Sequence, residues 1–350
     1  MIYQPSYYNS EIRSPGYPLS SVPQPGHSVE VKPGIHWIRM PLPFKPDHIN
    51  LWLIEEQDGW TLIDTGFSSD ITKQIWLQLF SGVMNNRPIK RVILTHHHID
   101  HMGLTGWLCQ HFQAPLLTSK AEFRLLETLS TPLDVDELDN IDSFYKPHDA
   151  SDVSKLFVQF RHMATYHHLP TSSRILNHGE SLTLGGKSWQ VLLCSGHTSS
   201  QVILYNKALD LLISGDQILP TISSNIGLWP SARDANPMAE FLLSMQLILS
   251  TIGNPLVLPS HGLPFTGMRD RIHELVNEHQ QQLEKIISIC QKPTSINELI
   301  PCLFPGKLQG FATALATAET MAGVHYLLTE NHLVRQVNGD GIQRFITACN

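Results

Sequence analysis

Residues 94–103 read Leu94-Thr95-His96-His97-His98-Ile99-Asp100-His101-Met102-Gly103. The apolar run at 91–95 predicts a strand ahead of this segment, and the pattern at 103–111 predicts a helix behind it. The segment is therefore predicted to lie in a loop at the carboxyl end of a strand, where α/β proteins place their functional sites. It brings three imidazoles and a carboxylate into six residues, and these are ligand types that Zn²⁺ accepts: His96, His98, Asp100 and His101.

Three further candidate ligands follow predicted strands later in the chain. His197 lies in CSGHT, Asp216 in ISGD and His261 in PSHG. A glycine beside each of them allows the backbone to turn sharply and to approach a metal closely. Asp64, in the segment IDTG, ends an early predicted strand and is expected to orient one of the ligands by a hydrogen bond.

The order HxHxDH, then GH, SGD and SHG, resembles the metallo-β-lactamase superfamily, over roughly residues 35–267. The resemblance implies an α/β fold of the αββα sandwich type with a dinuclear metal site at one edge. It implies that a first metal ion is held by His96, His98 and His197. It implies that a second is held by Asp100, His101 and His261, with Asp216 bridging the two ions.

The chemistry that follows is hydrolysis. Two divalent ions about 3.5–4 Å apart lower the pKa of a shared water toward neutrality, and the resulting hydroxide attacks a carbonyl or phosphoryl centre. The resemblance also implies that Asp100 is catalytic, because it orients that hydroxide. Zinc is the expected ion, and iron or manganese also suits His and Asp ligands.

The sequence pattern divides the chain into three parts. Residues 1–28 are rich in Pro, Ser and Tyr and predict an extended N-terminal arm. Residues 29–267 interleave strands and helices, which predicts layered α/β packing with an inserted lid at about 130–170. The resemblance implies that these residues form the metallo-β-lactamase-fold catalytic domain. Residues 268–350 read helix, helix, helix, hairpin, the order of a winged-helix module. Within the catalytic domain, Ser119 and Glu122 have the spacing of a capping box at the start of a helix.

Composition limits the classes of partner. The 350 residues carry 24 Lys+Arg and 31 Asp+Glu, a formal net charge of −7, so neither nucleic acid nor anionic lipid is an expected partner. The winged-helix-like segment shares this balance, and its would-be recognition helix, 311–329, has no Lys or Arg. Five scattered cysteines, and no signal peptide or apolar span of about 18 residues, predict a cytoplasmic protein that spans no membrane. A homodimer through the arm or the C-terminal module is a further expectation.

Among superfamily activities, the closest resemblance is to the glyoxalase-like and β-lactamase-like-2 group, which carries a C-terminal winged helix. It implies hydrolysis of a small-molecule thioester or related carboxylic ester. Glutathione thioesters are less favoured, because only Arg269 and Arg271 follow the last ligand closely. The alternatives are an RNA or phosphodiester hydrolase, a lactone or β-lactam hydrolase, and a mononuclear iron enzyme resembling persulfide dioxygenases.

Overall fold

Two β-sheets stacked face to face form the centre of the molecule. The computed structural model describes residues 14–19, 21–163, 169–170 and 172–348. The first sheet has seven strands in sequential order: β1 Val29–Lys32, β2 Ile35–Pro41, β3 His48–Glu56, β4 Gly59–Ile63, β5 Ile89–Ile93, β6 Leu116–Ser119 and β7 Ser173–Leu176. The second has five strands in the order β12-β11-β10-β9-β8: β8 Ser181–Leu184, β9 Lys187–Cys194, β10 Gln201–Asn206, β11 Leu211–Gly215 and β12 Leu256–Pro259.

Helices cover the outer face of each sheet. On the chain they are α1 Asp70–Ser81, α2 Ile99–Met102, α3 Thr105–Phe112, α4 Lys120–Leu129, α5 Val135–Tyr145, α6 Ser151–Met163, α7 Pro237–Thr251, α8 Met268–Ile289, α9 Ile296–Leu303 and α10 Phe311–Thr329. A hairpin follows, β13 Leu333–Val337 and β14 Gln343–Thr347. Within the described ranges, no helix is long and apolar enough to cross a membrane.

Three apolar layers explain this stacking. The inner layer lies between the sheets and buries large side chains of both, among them Trp37, Trp52 and Trp189. A second layer joins the first sheet to α1 and α3. A third joins the second sheet to α7, α8, α9 and α10. Because each sheet is apolar on both faces, each requires cover on both sides, and the predicted αββα sandwich is confirmed.

Strand direction brings the site to one edge. Strands β4 and β5 are parallel neighbours, and so are β11 and β12. Strand β9 runs in the same direction as β11, because each is antiparallel to β10. The carboxyl ends of these strands therefore open on common edges of their sheets, and the polar segments that follow them can meet there.

The predicted lid is built into the core. Its helices α5 and α6 are joined by a 3₁₀ turn at Lys146–His148. Ile141, Phe144, Tyr145 and Val153 are buried in the layer that also holds α8 and α10. The described lid is therefore a packed helical layer; positions 164–168 and 171 lie outside the described residues.

The C-terminal elements have the predicted order of three helices and a hairpin. They share one continuous apolar layer with α7 and the second sheet. The division of the chain at residue 267, and the interpretation of 268–350 as a winged-helix module, stay predictions. Of the predicted arm, residues 1–13 and 20 lie outside the described residues, while Gly16 and Thr266 exchange two backbone hydrogen bonds of 2.8 and 3.1 Å.

Candidate metal centre

The HxHxDH segment lies directly after β5, as predicted. The strand ends at Ile93, two residues earlier than expected, because the Thr95 N–H donates to the Asp64 carboxylate at 2.7 Å and leaves the sheet ladder. His98 then precedes a one-turn helix, α2, that carries Asp100 and His101. A turn of helix within the motif places these two side chains on the same side as the preceding histidines.

A first group of three imidazoles forms where two loops meet. His96, His98 and His197 each offer a ring nitrogen, and these atoms all lie within 4.8 Å of one another. The His96 Nε2 to His98 Nδ1 distance is 3.0 Å. His197 reaches the group from the loop after β9, where Gly196 adopts a φ of +114°. This is the predicted first ligand set.

A second group contains the predicted remaining ligands. Asp100, His101 and His261 offer atoms within 4.8 Å of one another. Asp100 Oδ2 lies 3.3 Å from His261 Nε2 and 3.8 Å from His101 Nε2. His261 follows β12, so the two sheets both contribute to this group.

Asp216 lies between the two groups. Its Oδ1 is 3.5 Å from His101 Nε2 and 3.5 Å from His261 Nε2. Its Oδ2 is 3.5 Å from His197 Nε2. One carboxylate thus turns one oxygen to each group, which is the arrangement expected of a bridging ligand.

The donor atoms fit a divalent cation. Buried polar atoms in proteins are normally hydrogen-bonded. Among the described residues, three atoms at the centre of this cluster are buried without a hydrogen bond: His101 Nε2, His197 Nε2 and Asp216 Oδ1. Imidazole nitrogens and carboxylate oxygens that converge with free lone pairs are the ligands that zinc and similar ions take.

The opposite nitrogens of four imidazoles are held by acceptors. His101 Nδ1 donates to Asp64 Oδ2 at 2.8 Å, so Asp64 lies where it was expected. The other three donate through Nδ1 to oxygens at 2.8–3.0 Å: His96 to Thr95 Oγ1, His197 to the Asn225 carbonyl and His261 to the His48 carbonyl. An imidazole that donates through Nδ1 presents its Nε2 lone pair to the cluster, which fixes both tautomer and orientation.

The two groups differ in their proton affinity. Burial and neighbouring histidines hold the pKa values of His96 and His98 well below the ordinary value. Burial also acts to lower the pKa of His101 and of His261, but the Asp216 and Asp100 carboxylates outweigh it. The His101 pKa lies well above its usual range, and that of His261 is raised to about 10. The carboxylate-rich half of the cluster therefore attracts positive charge strongly.

The sequence analysis missed the partners that hold this cluster. Asn225 and His48 act through backbone carbonyls, which no sequence motif predicts. Glu122 was predicted to complete a capping box with Ser119, and this was wrong. Ser119 caps α4 by accepting from the Glu122 N–H, but the Glu122 carboxylate bonds to His97 and Ser200 instead. Because that carboxylate is completely buried, it bonds to donors in the loops rather than to the N–H at its own helix end.

Comparisons with known proteins agree with this geometry. A sequence model of the family described as "Metallo-beta-lactamase superfamily" matches residues 44–289. A second, described as "Metallo-beta-lactamase-like, C-terminal domain", matches residues 283–348.

Individual relatives are similar in sequence, and a solved structure is similar in fold as well. A crystal structure titled as a beta-lactamase domain protein from Burkholderia ambifaria is 32% identical, with a TM-score of 0.87, and covers 95% of this chain and 98% of its own. The probable metallo-hydrolase YqjP of Bacillus subtilis is 26% identical over 286 residues, which is 77% of this chain and 84% of that protein. The chicken acyl-coenzyme A thioesterase MBLAC2 is 23% identical over 255 residues, 70% of this chain and 83% of that protein. The chain therefore belongs to the metallo-β-lactamase superfamily and is one of its hydrolases.

Proposed function

We propose that this protein is a dinuclear metal-dependent hydrolase that cleaves a thioester or a related carboxylic ester. The observation that carries the proposal is the division of Asp216 between two groups of ligands, one oxygen facing each at 3.5 Å. A single-ion site needs no such carboxylate. A dinuclear site needs one to hold two like charges close together.

Each group of residues has a role in this proposal. His96, His98 and His197 would hold one ion, Asp100, His101 and His261 the other, and Asp216 both. Two such ions supply a hydroxide near neutral pH and polarise the carbonyl oxygen of the substrate. Zinc is the ion we expect, with iron or manganese as alternatives.

The chain's own residues would position the reactants. Asp100 is only partly exposed at the rim of the cluster, and its carboxylate is the acceptor that would orient the attacking water. Asp64 and the Asn225 and His48 carbonyls keep the imidazoles turned toward the reaction centre. Hydrolysis then adds water to the carbonyl carbon, breaks the bond from carbon to sulfur or oxygen, and releases an acid and a thiol or alcohol.

Two observations favour a coenzyme A thioester, while a relative named hydroxyacylglutathione hydrolase, matched over 47% of this chain, supports a glutathione thioester. One relative, matched over 83% of its own length, carries the name of an acyl-coenzyme A thioesterase. The two arginines that follow the last ligand are already engaged within the protein. Arg271 is buried and donates to the Leu219 carbonyl at 2.8 Å, and Arg269 donates to the Leu249 carbonyl at 2.8 Å. Arg271 is therefore not available to bind a glutathione carboxylate, whereas Arg269 is exposed and keeps donors free of this bond.

The alternatives have weaker support. Helix α10, the would-be recognition helix, is buried along most of its length between its neighbours and lacks cations, which disfavours a nucleic-acid substrate. A mononuclear iron enzyme would not require the complete second group at Asp100, His101 and His261. Lactone or β-lactam ring opening uses the same centre and is distinguished by substrate alone.

The test is thiol release by the zinc-loaded protein from a panel of acyl-coenzyme A and glutathione thioesters. His98→Ala serves as the site control, because it removes one ligand of the first ion. Release that is lost in this variant is the expected result, and the ranking of the panel identifies the acyl group. Protein that holds two ions per chain and releases no thiol would exclude the thioester and direct the panel to lactones and phosphodiesters.

A further inference from the structure

Glu122 is a completely buried carboxylate that belongs to neither group of ligands. It lies in the first turn of α4, which follows β6 directly. Burying a charged carboxylate costs free energy unless hydrogen-bond donors surround it. The donors that surround Glu122 therefore indicate which segments of the protein it joins.

The donors come from two separate loops. Glu122 Oε2 accepts from the His97 N–H at 2.9 Å and from His97 Nδ1 at 2.7 Å. Glu122 Oε1 accepts from the Ser200 N–H at 3.2 Å. His97 lies between the ligands His96 and His98, and Ser200 follows the ligand His197 by three residues.

We propose that Glu122 is a positioning residue that sets the distance between the two loops carrying His96, His98 and His197. The inference rests on the proposed metal binding and adds to it a determinant of the first ion's affinity. The role of His97 follows from the same geometry. Its ring belongs to neither group of ligands and bonds to the carboxylate, so the histidine between two ligands serves as the attachment point of its loop.

The chemistry of a carboxylate explains why this position needs Glu. Its two oxygens are both acceptors, so each can bind N–H groups from a different loop. A glutamine of the same size keeps one oxygen but presents an NH₂ group to the other loop, where N–H would face N–H. Glu122→Gln therefore disconnects one loop while it conserves volume and removes the buried charge.

The experiment compares Glu122→Gln with Glu127→Gln, which removes an exposed carboxylate from the same helix. Stoichiometry is measured by elemental analysis after Zn²⁺ loading, and affinity by competition with a chelator. The visible spectrum of the Co²⁺-loaded protein reports the coordination of each ion. We expect first-site affinity to fall by about 10–100-fold in Glu122→Gln, as for other residues that orient ligands. The second ion and the Glu127→Gln protein should behave as wild type.

A second variant keeps the inference testable if Glu122→Gln does not fold. His97→Ala removes the ring contact and leaves the two backbone contacts, so it should lower first-site affinity less. The double variant should lose less first-site binding free energy than the two single variants lose together, because both substitutions act on one contact. Unchanged Zn²⁺ affinity and Co²⁺ spectrum in either folded variant would overturn the positioning role alone. A wild-type protein that binds no ion would overturn the metal proposal as well, so the two failures are distinguishable.

Discussion

Asp64 shows how one residue can serve both the backbone and the ligand set. Its φ is +58°, a left-handed conformation that few residues other than Gly, Asn and Asp adopt readily. In that conformation its two oxygens accept from the Thr95 N–H, the Thr95 hydroxyl and His101 Nδ1, at 2.7–2.8 Å. The residue thereby ends β4 and fixes the ring of a ligand at the same time.

We predict that Asp64→Asn leaves the fold intact and weakens the binding of the second metal ion. Asparagine tolerates the left-handed conformation, but its NH₂ group only donates, so at least one of the hydrogen bonds from Thr95 and His101 loses its acceptor. Loss of an orienting acceptor typically lowers metal affinity by about 10–100-fold. Competition with a chelator measures this loss, and the melting temperature of the metal-free protein checks the fold.

Asp210→Asn is the matched control for this prediction. Asp210 also has a left-handed φ, of +51°, but is exposed at the turn between β10 and β11. Its variant should bind both ions as wild type does. If Asp64→Asn also keeps the wild-type affinity for the second ion, Asp64 does not orient His101.

Residue-level reasoning from sequence named side chains that the fold brings together. Seven candidate ligands were named from short motifs, and the structure brings all seven into one cluster. It failed for Glu122, because a serine three residues before a glutamate at the start of a helix is the pattern of a local capping box. Only the contacts with His97 and Ser200, which are distant in sequence, show that the carboxylate bonds to other loops instead. The roles of Asn225 and His48 were not predicted for a different reason. Both residues act through backbone carbonyl oxygens, which every residue type has.

Helices and strands were predictable in proportion to their length and pattern. The amphipathic helix α4 begins and ends where its capping serine and apolar spacing indicate. Strands β1 and β7 were missed, because each has four residues and contains charged or polar positions. Such edge strands are defined by the backbone of the neighbouring strand and not by their own apolar pattern. The turn of α2 was hidden because it has only four residues, two of which, Asp100 and His101, are candidate ligands.

The loop between β9 and His197 requires a glycine at position 196. Gly196 has a φ of +114°, and a Cβ at this position would lie 2.6 Å from Phe241 Cα on α7. We predict that Gly196→Ala pushes the loop away from α7, lowers stability by roughly 1–3 kcal/mol and weakens the ion that His197 binds. Thermal unfolding and chelator competition measure the two effects.

Gly186→Ala separates these two effects. Gly186 has a φ of +70° at the turn between β8 and β9, and a Cβ there meets no atom within 4 Å. Its variant should lose stability through backbone strain and keep its metal affinity. Equal metal affinity in the two alanine variants would show that the close approach of Gly196 to α7 does not position His197.

At the scale of the whole molecule, the C-terminal helices contribute to the site without supplying a ligand. The Asn225 side chain donates to the Leu315 carbonyl at 3.2 Å and to Glu319 Oε2 at 3.0 Å, both on α10. The Asn225 carbonyl accepts from His197 Nδ1 at 2.9 Å. Helix α10 thus holds the loop that orients a ligand of the first ion. The contact joins residues about 90 positions apart, which no local pattern in the sequence reveals.

We therefore predict that Asn225→Ala lowers first-site metal affinity although it preserves the carbonyl that touches His197. The variant removes both side-chain contacts of Asn225 with α10 and leaves the half-buried Glu319 carboxylate with fewer donors. Desolvation already raises the pKa of that carboxyl. The loss should approach the lower end of the roughly 10–100-fold range for residues that orient ligands. Chelator competition and the Co²⁺ spectrum should show the change at the first ion and none at the second.

Thr320→Val tests whether this effect is specific to the contact with the loop. Thr320 is buried on the same helix, and its hydroxyl donates to the Ala316 carbonyl within that helix, at 2.8 Å. Its loss should destabilise α10 by about 1 kcal/mol, the net value of a typical hydrogen bond, with no change in metal binding. If Thr320→Val weakens the binding of the first ion as much as Asn225→Ala does, a general loss of stability in α10 accounts for both effects. If only Asn225→Ala weakens it, the contact between this side chain and α10 acts on the metal centre.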